Sequence, residues 1–216
     1  ISLAHCGVLF LDELPEYSRS VLEVLREPLE SGEIMISRVA AQTRYPANFQ
    51  LIAAMNPCPC GYLGTQRCLC TPDQIDRYRN KISGPLMDRI DLQVQVTSIE
   101  NHQLLNQQAP EQQTGDSNQH IQQRVCTARK RQIKRQGKIN ARLSSAELRE
   151  VCPLNQEQRR LMDQAIDRFA LSTRGFYRVL KVARSIADLA GVDKPKLPHY
   201  QEALSYRPTV DTQKKC

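Results

Sequence analysis

The chain has 216 residues, 40% of them apolar and 25% charged, with a net charge of +7. This is the composition of a globular chain, neither disordered nor collagenous, with room for one large domain or two small ones. Its longest apolar runs, 7–11 and 51–55, fall far short of the ~20 residues a spanning helix needs, and no basic-then-apolar leader opens it. An integral membrane protein and a secretory signal are therefore not expected, and the expected location is the cytoplasm. The chain starts on Ile1 without a Met, which reads as a piece whose N-terminal part lies upstream.

In chain order, Val8-Leu9-Phe10-Leu11 predicts a buried strand of a parallel sheet, ending at Asp12-Glu13. Residues 18–31 predict one helix, with Val21, Leu22, Leu25 and Leu29 at helical spacing and Gly32 as its stop. Residues 33–46 alternate as a β-hairpin with an Ala40-Ala41-Gln42 tip. Residues 50–55 predict a second buried strand, ending at Asn56-Pro57. Cys58 to Cys70 reads as a loop. Thr71-Pro72-Asp73-Gln74 is a helix start, with Thr as N-cap, Pro in the first turn and Gln three residues on. Ser83-Gly84-Pro85 starts a short helix, and Leu92 to Val96 alternates as a third strand. The Gln-rich stretch 106–117 reads as a linker between domains at 1–105 and 118–216. The second domain predicts helices near 118–136, 155–169, 173–190 and 198–205, the third with an apolar face of Phe176, Val179, Leu180, Ala183, Ile186, Ala187 and Ala190.

Charge divides along the same line. Residues 1–100 hold 9 basic and 12 acidic residues, and 101–216 hold 21 and 11. The run 117–146 has no acid and carries Arg124, Arg129, Lys130, Arg131, Lys134, Arg135, Lys138 and Arg142. Such a helix suits a phosphate backbone and also suits a solvated face. It has no aromatic residue for base stacking.

An apolar strand followed by Asp12-Glu13 fits a Walker B arrangement. The first carboxylate suits Mg²⁺, a hard cation that takes oxygen ligands, and the second can orient the water that attacks a γ-phosphate. Solvated acids at a strand end give the same pattern. Asn56 would stand at the same edge, because ligands of open parallel sheets bind beyond the strands' carboxyl ends. Cys58-Pro59-Cys60 and Cys68-Leu69-Cys70 place four thiols within 13 residues, enough for a structural tetrahedral Zn²⁺ site. Cys6, Cys126, Cys152 and Cys216 read as inert or buried thiols. No Gly-x-x-x-x-Gly-Lys-Ser/Thr loop occurs, since Gly137-Lys138 is followed by Ile139 and preceded by Gln132 at the first glycine position.

The order of Asp12-Glu13, helix, hairpin, Asn56-Pro57 and Leu86-Met87-Asp88-Arg89 resembles the AAA+ ATPases of the magnesium-chelatase and MCM-helicase branch. The stretches 3–14, 56–61 and 182–189 resemble its YifB/ComM subfamily, bacterial Mg chelatase-like proteins linked to competence and recombination. The resemblance covers essentially the whole chain. It implies an α/β AAA+ core from the Walker B strand onward, followed by an all-α lid, with ATP and Mg²⁺ bound in a homo-oligomeric, hexameric ring. It implies that Asn56 is sensor 1, that Arg89 is the arginine finger reaching the next subunit's nucleotide, and that Arg174 is sensor 2. The hairpin then points into the ring pore, with Arg38 and Arg44 on DNA, alongside Arg129, Lys130 and Lys134. A chain without a phosphate-binding loop is expected to be inactive alone. Two other readings stay open: an ATPase serving a metal-chelatase partner, and a non-catalytic zinc-stabilised DNA-binding module.

Overall fold

The apolar run before Asp12 forms β1 (Val8–Leu11) in the computed structural model, which describes residues 1–38, 41–96 and 117–207. These fall into two units, Ile1–Ile90 and Asp91–Cys216. In the first, β1 is followed by α1 (Arg19–Val24), α2 (Pro28–Ser31), β2 (Glu33–Arg38), β3 (Ala41–Pro46) and β4 (Gln50–Ala53). Two short helices close it, α3 (Pro72–Arg79) and α4 (Gly84–Met87). β1 and β4 pair in parallel, Val8 opposite Gln50 and Leu11 opposite Ala53. The helices and hairpin between them supply the long crossover that parallel strands require.

Four sequence expectations for residues 1–96 are corrected. The helix expected over 18–31 breaks into α1 and α2, because Pro28 has no amide for the preceding turn and instead starts α2. Gly32 ends α2 at φ 75°, as its position suggested. The hairpin is tighter than expected: Arg38 pairs with Ala41 and Ser37 with Gln42, so Ala41 and Gln42 belong to the strand. The position of Ala40 lies outside the described residues.

The strands are not buried on both faces either. Leu9 and Leu11 pack on Leu14, Leu22, Leu25, Ile82 and Leu86, while Val8 and Phe10 on the other face are 54% and 59% exposed. A two-stranded sheet with helices on one side gives that second face no layer among the described residues. Finally, Leu92–Val96 forms no strand there. Gln93 donates its amide to the Tyr206 carbonyl, but no neighbouring strand meets it, and Val94 and Val96 stay exposed. Alternation supplies faces, whereas a strand also needs a ladder partner.

The second unit is helical: α5 (Asn118–Gln136), α6 (Ser145–Val151), α7 (Gln156–Phe169), α8 (Thr173–Leu189) and α9 (Leu197–Ser205). Its core gathers Leu148, Met162, Ala165, Val179, Leu180, Ala183, Tyr200 and Leu204 around α8. Helix α6 carries no strong apolar period, but Ser144 and Glu147 form a capping box that fixes its start. Ala190, expected on the apolar face of α8, is exposed at its C-cap. No described helix is long and apolar enough to cross a membrane. The linker expected over 106–117 lies, but for Ser117, outside the described residues.

Candidate functional site

The parallel register places the residues after β1 beside those after β4. The Ala54 amide donates to the Leu11 carbonyl and the Leu14 amide to the Ala54 carbonyl, each at 2.9 Å. Asp12 and Glu13 therefore turn past the edge next to Ala54–Asn56. Glu13 sits in the left-handed region at φ 49°, ψ 49°, and its amide donates to Asp12 Oδ1 at 2.9 Å. A non-glycine residue there is strained, and such strain persists only where neighbours hold it. The anchor is the next turn, where Leu14 and Pro15 are buried. Both carboxylates stay exposed and, with Glu16 and Tyr17, line a shallow hollow. Exposed carboxylate oxygens are the donor set that a hard divalent cation prefers.

Asn56 follows β4 by three positions. A Cβ built on Gly61 would lie 3.9 Å from Asn56 Oδ1, so the exposed carboxamide stands near the turn of the cysteine loop. The Tyr78 phenol faces the Asn56 main chain, and burial pushes its pKa up. Arg79 donates to the Pro57 carbonyl at 3.4 Å. The structure thus brings Asp12, Glu13 and Asn56 to one sheet edge, as the sequence suggested.

Arg89 is held by main-chain carbonyls and one distant carboxylate. Its Nε donates to the Arg26 carbonyl at 3.0 Å, Nη1 to the Pro85 carbonyl at 2.7 Å, and Nη2 to Glu30 at 2.6 Å. Only 9% of its side chain is exposed. Glu30 was missed by sequence reasoning, and nothing local links it to a residue 59 positions away. In the second unit, Arg174 lies exposed in the first turn of α8, and its neighbour Arg178 pairs with Asp91 at 2.5 Å.

The cysteine loop closes on itself. Cys58, Cys60, Cys68 and Cys70 offer sulfurs all within 4.8 Å of one another. Cys58 Sγ lies 3.4 Å from Cys60 and 3.9 Å from Cys68, and Cys60 lies 3.7 Å from Cys68. A tetrahedral zinc–thiolate centre with bonds of about 2.3 Å has sulfur–sulfur edges of about 3.8 Å. The residues therefore fit a four-sulfur metal centre. The charge pattern agrees: the Tyr62 amide lowers the Cys60 thiol to about 6, while hydrogen bonding to Cys60 raises Cys70 to about 12. Four thiolate ligands this close together would need a cation to offset their charge. Arg67 lies over the Tyr62 ring at 4.7 Å. Of the scattered cysteines, Cys152 is buried, whereas Cys6 and Cys126 are exposed. Cys216 lies outside the described residues.

Part of the basic run is structural. Arg135 donates to both oxygens of buried Asp188 at 2.7 and 2.9 Å, Arg131 donates to the Asp188 carbonyl, and Lys138 pairs with Glu147 at 2.5 Å. Buried Arg184 and Asn140 complete the Asp188 network at 2.6 and 2.8 Å. The signal was Arg184 and Asp188 at i,i+4 on the inward side of α8, two charges with no reason to face a core unless paired. Arg129, Lys130 and Lys134 remain exposed. On the hairpin, Arg44 lies 3.9 Å from Glu33 and is largely exposed, while the side chain of Arg38 lies outside what is described.

Residues 1–104 match the magnesium chelatase subunit ChlI family, and residues 115–207 match the family of that subunit's C-terminal region. The chain is 48% identical to YifB of Escherichia coli over 207 residues and 47% identical to the competence protein ComM of Haemophilus influenzae over 211. YifB of Salmonella typhimurium is 46% identical over 207 residues. These alignments take in 96–97% of this chain but 40% of each relative, so the chain spans about two fifths of their length. On these matches, the chain belongs to the magnesium chelatase ChlI-like family, within its YifB/ComM group.

Proposed function

We propose that the intact protein is a ring-forming AAA+ ATPase that spends ATP on moving or remodelling DNA. The observation that carries this reading is the β1/β4 edge, where parallel pairing sets Asp12 and Glu13 beside Asn56. In this reading 1–105 is the later part of the ATPase core, 106–117 a linker and 118–216 the lid. Asp12 would hold Mg²⁺, whose charge, when bound, would offset that of the phosphates. Glu13 takes a proton from, or orients, the attacking water. Asn56 donates its carboxamide to the γ-phosphate or the water. Arg174 contacts the nucleotide from the lid. Arg89 gives up Glu30 for the γ-phosphate bound by a neighbouring subunit of a hexamer, where a cation offsets the charge growing on the transferring group.

Arg38 and Arg44 on the hairpin, with Arg129, Lys130 and Lys134 on α5, are the DNA contacts in this reading. They touch phosphates and so confer no sequence preference. The name of the relative ComM supports work in competence. The four-cysteine loop holds a structural Zn²⁺, since thiolates fill all four positions and leave none for a substrate. The 216-residue chain, which has no phosphate-binding loop in its sequence, does not hydrolyse ATP alone in this reading.

The ChlI family match favours one second reading, an ATPase that drives a metal-chelatase-type partner. ATP hydrolysis by the full-length protein, with and without DNA, separates the two. Stimulation by DNA supports the motor, turnover indifferent to DNA supports the chelatase-type role, and no turnover rejects both.

A further inference from the structure

We infer that the four-cysteine metal centre is the positioning device for Asn56, so that hydrolysis at the β1/β4 edge requires an occupied metal site 2–14 residues further along the chain. The inference rests on the reading of Asn56 as the phosphate-sensing residue and adds a control on it.

Three observations carry it. First, the segment from Pro57 to Thr71 contains no helix or strand, and Leu69 within it is 90% exposed. Few apolar side chains anchor this loop, and the sulfur cluster stands where a core would be. Cys58 is fully buried inside that cluster. Second, Cys58 is joined to Asn56 through Pro57 alone, whose ring fixes φ and leaves little slack between the two. Third, the Asn56 carboxamide lies beside Gly61, close enough that a side chain there would touch it, and Gly61 sits at φ 79° in the turn closed by its amide on the Cys58 carbonyl at 3.0 Å. Asn56, itself exposed, is thus tethered through Pro57 and flanked by Gly61 of the loop whose shape the sulfurs set. Outside the loop, the Tyr78 phenol faces the Asn56 main chain and Arg79 donates to the Pro57 carbonyl next to it.

Without a cation, the loss of four metal–sulfur bonds frees the loop, and Asn56 moves with it. Nucleotide affinity is expected to survive, because the other proposed nucleotide contacts lie elsewhere. A donor displaced by about 1 Å costs up to about 100-fold in rate while leaving binding nearly intact.

The test uses the full-length protein. Zinc content by elemental analysis, the absorption spectrum of the cobalt-substituted form, affinity for a non-hydrolysable ATP analogue, circular dichroism and kcat are measured together. The comparison covers wild type, chelated wild type, Cys70→Ser, Cys70→His and Asn56→Ala. The expected pattern is about one metal per chain with a tetrahedral cobalt–thiolate spectrum. Chelation and Cys70→Ser lower kcat about 10–100-fold with analogue affinity within about threefold. Zinc restores chelated wild type, and Cys70→His, which keeps four ligands, retains metal and most of the rate. Wild-type turnover in folded, metal-free protein, with a damaging Asn56→Ala, overturns the inference alone. Full activity of Asn56→Ala overturns the site reading and the inference with it. Global unfolding on chelation also overturns it, since the metal would then hold the fold rather than place one side chain.

Discussion

In Ile1–Ile90 the carboxylates of Asp12 and Glu13 stand exposed beyond a strand end, whereas in Asp91–Cys216 the carboxylate of Asp188 is buried and saturated by Arg135, Arg184 and Asn140. The first arrangement costs little folding energy and leaves lone pairs for a ligand. The second puts charges where only mutual pairing makes them tolerable. The apolar residues repeat the contrast. The first unit leaves Phe10 and Ile52 of its small sheet exposed, while the second closes its core around α8. Charge at the first unit's edge is therefore available for chemistry, and charge in the second unit's core serves the fold.

Substitutions can break that comparison. Arg89 is the case that crosses the line, being in the first unit yet clamped by Glu30 and two carbonyls. Arg89→Ala in the full-length protein is expected to lower kcat about 10³-fold or more and also to lower Tm. A loss of Tm with unchanged turnover would assign Arg89 to the fold alone. Glu13→Gln is expected to lower kcat about 10²–10⁴-fold with stability within about 0.5 kcal/mol, because the side chain is exposed. Steady-state hydrolysis and thermal unfolding of the same preparations check both.

Asp188→Ala should show the reverse. It strands buried Arg184 and is expected to cost about 3–5 kcal/mol, read by thermal denaturation, with the proposed nucleotide contacts untouched. Acid should act at the same place. Hydrogen bonds from Arg135 and Arg184 hold Asp188 below the usual aspartate range against the opposing effect of burial. Lys138, and then the Ser144 amide, hold Glu147 down to about 2. Groups depressed in the folded state stabilise it above their unfolded values and lose that contribution as pH falls through their folded ones. Tm is therefore expected to stay level between about pH 7 and 5 and to drop below about pH 4. A Tm that rose on acidification would contradict the network.

Smaller effects sharpen the picture. Replacing Arg129, Lys130 and Lys134 together by Ala is expected to reduce the salt dependence of DNA binding by about three counterions, without loss of Tm. An unchanged salt slope would return α5 to a solvated face. Phe10→Ser in the 216-residue chain is expected to change stability by less than about 0.5 kcal/mol, because that face is open here. A loss of 3 kcal/mol would show that something covers it.

Much of this was legible in the chain itself. Thr71 with Gln74 and Ser83 with Leu86 cap their helices through side chain and backbone three residues apart. Gly32 and Gly137 end theirs at positive φ. The cysteines converge because 13 residues leave a turning loop few other options. The failures have one cause. Pro28 broke a helix whose apolar spacing ran straight through it, and Leu92–Val96 alternated without finding a partner. Periodicity reports which faces a segment offers and not whether a neighbour accepts them.

The sequence by itself determined the helix ends, the thiol cluster and the candidate carboxylates, since each depends on residues within about a dozen positions. Only the tertiary structure decided that Glu30 holds Arg89, that Arg135 and Arg184 converge on Asp188, and that one face of the sheet stays open. Those outcomes depend on which distant segments meet, and burial and charge pairing are set by that meeting rather than by local spacing.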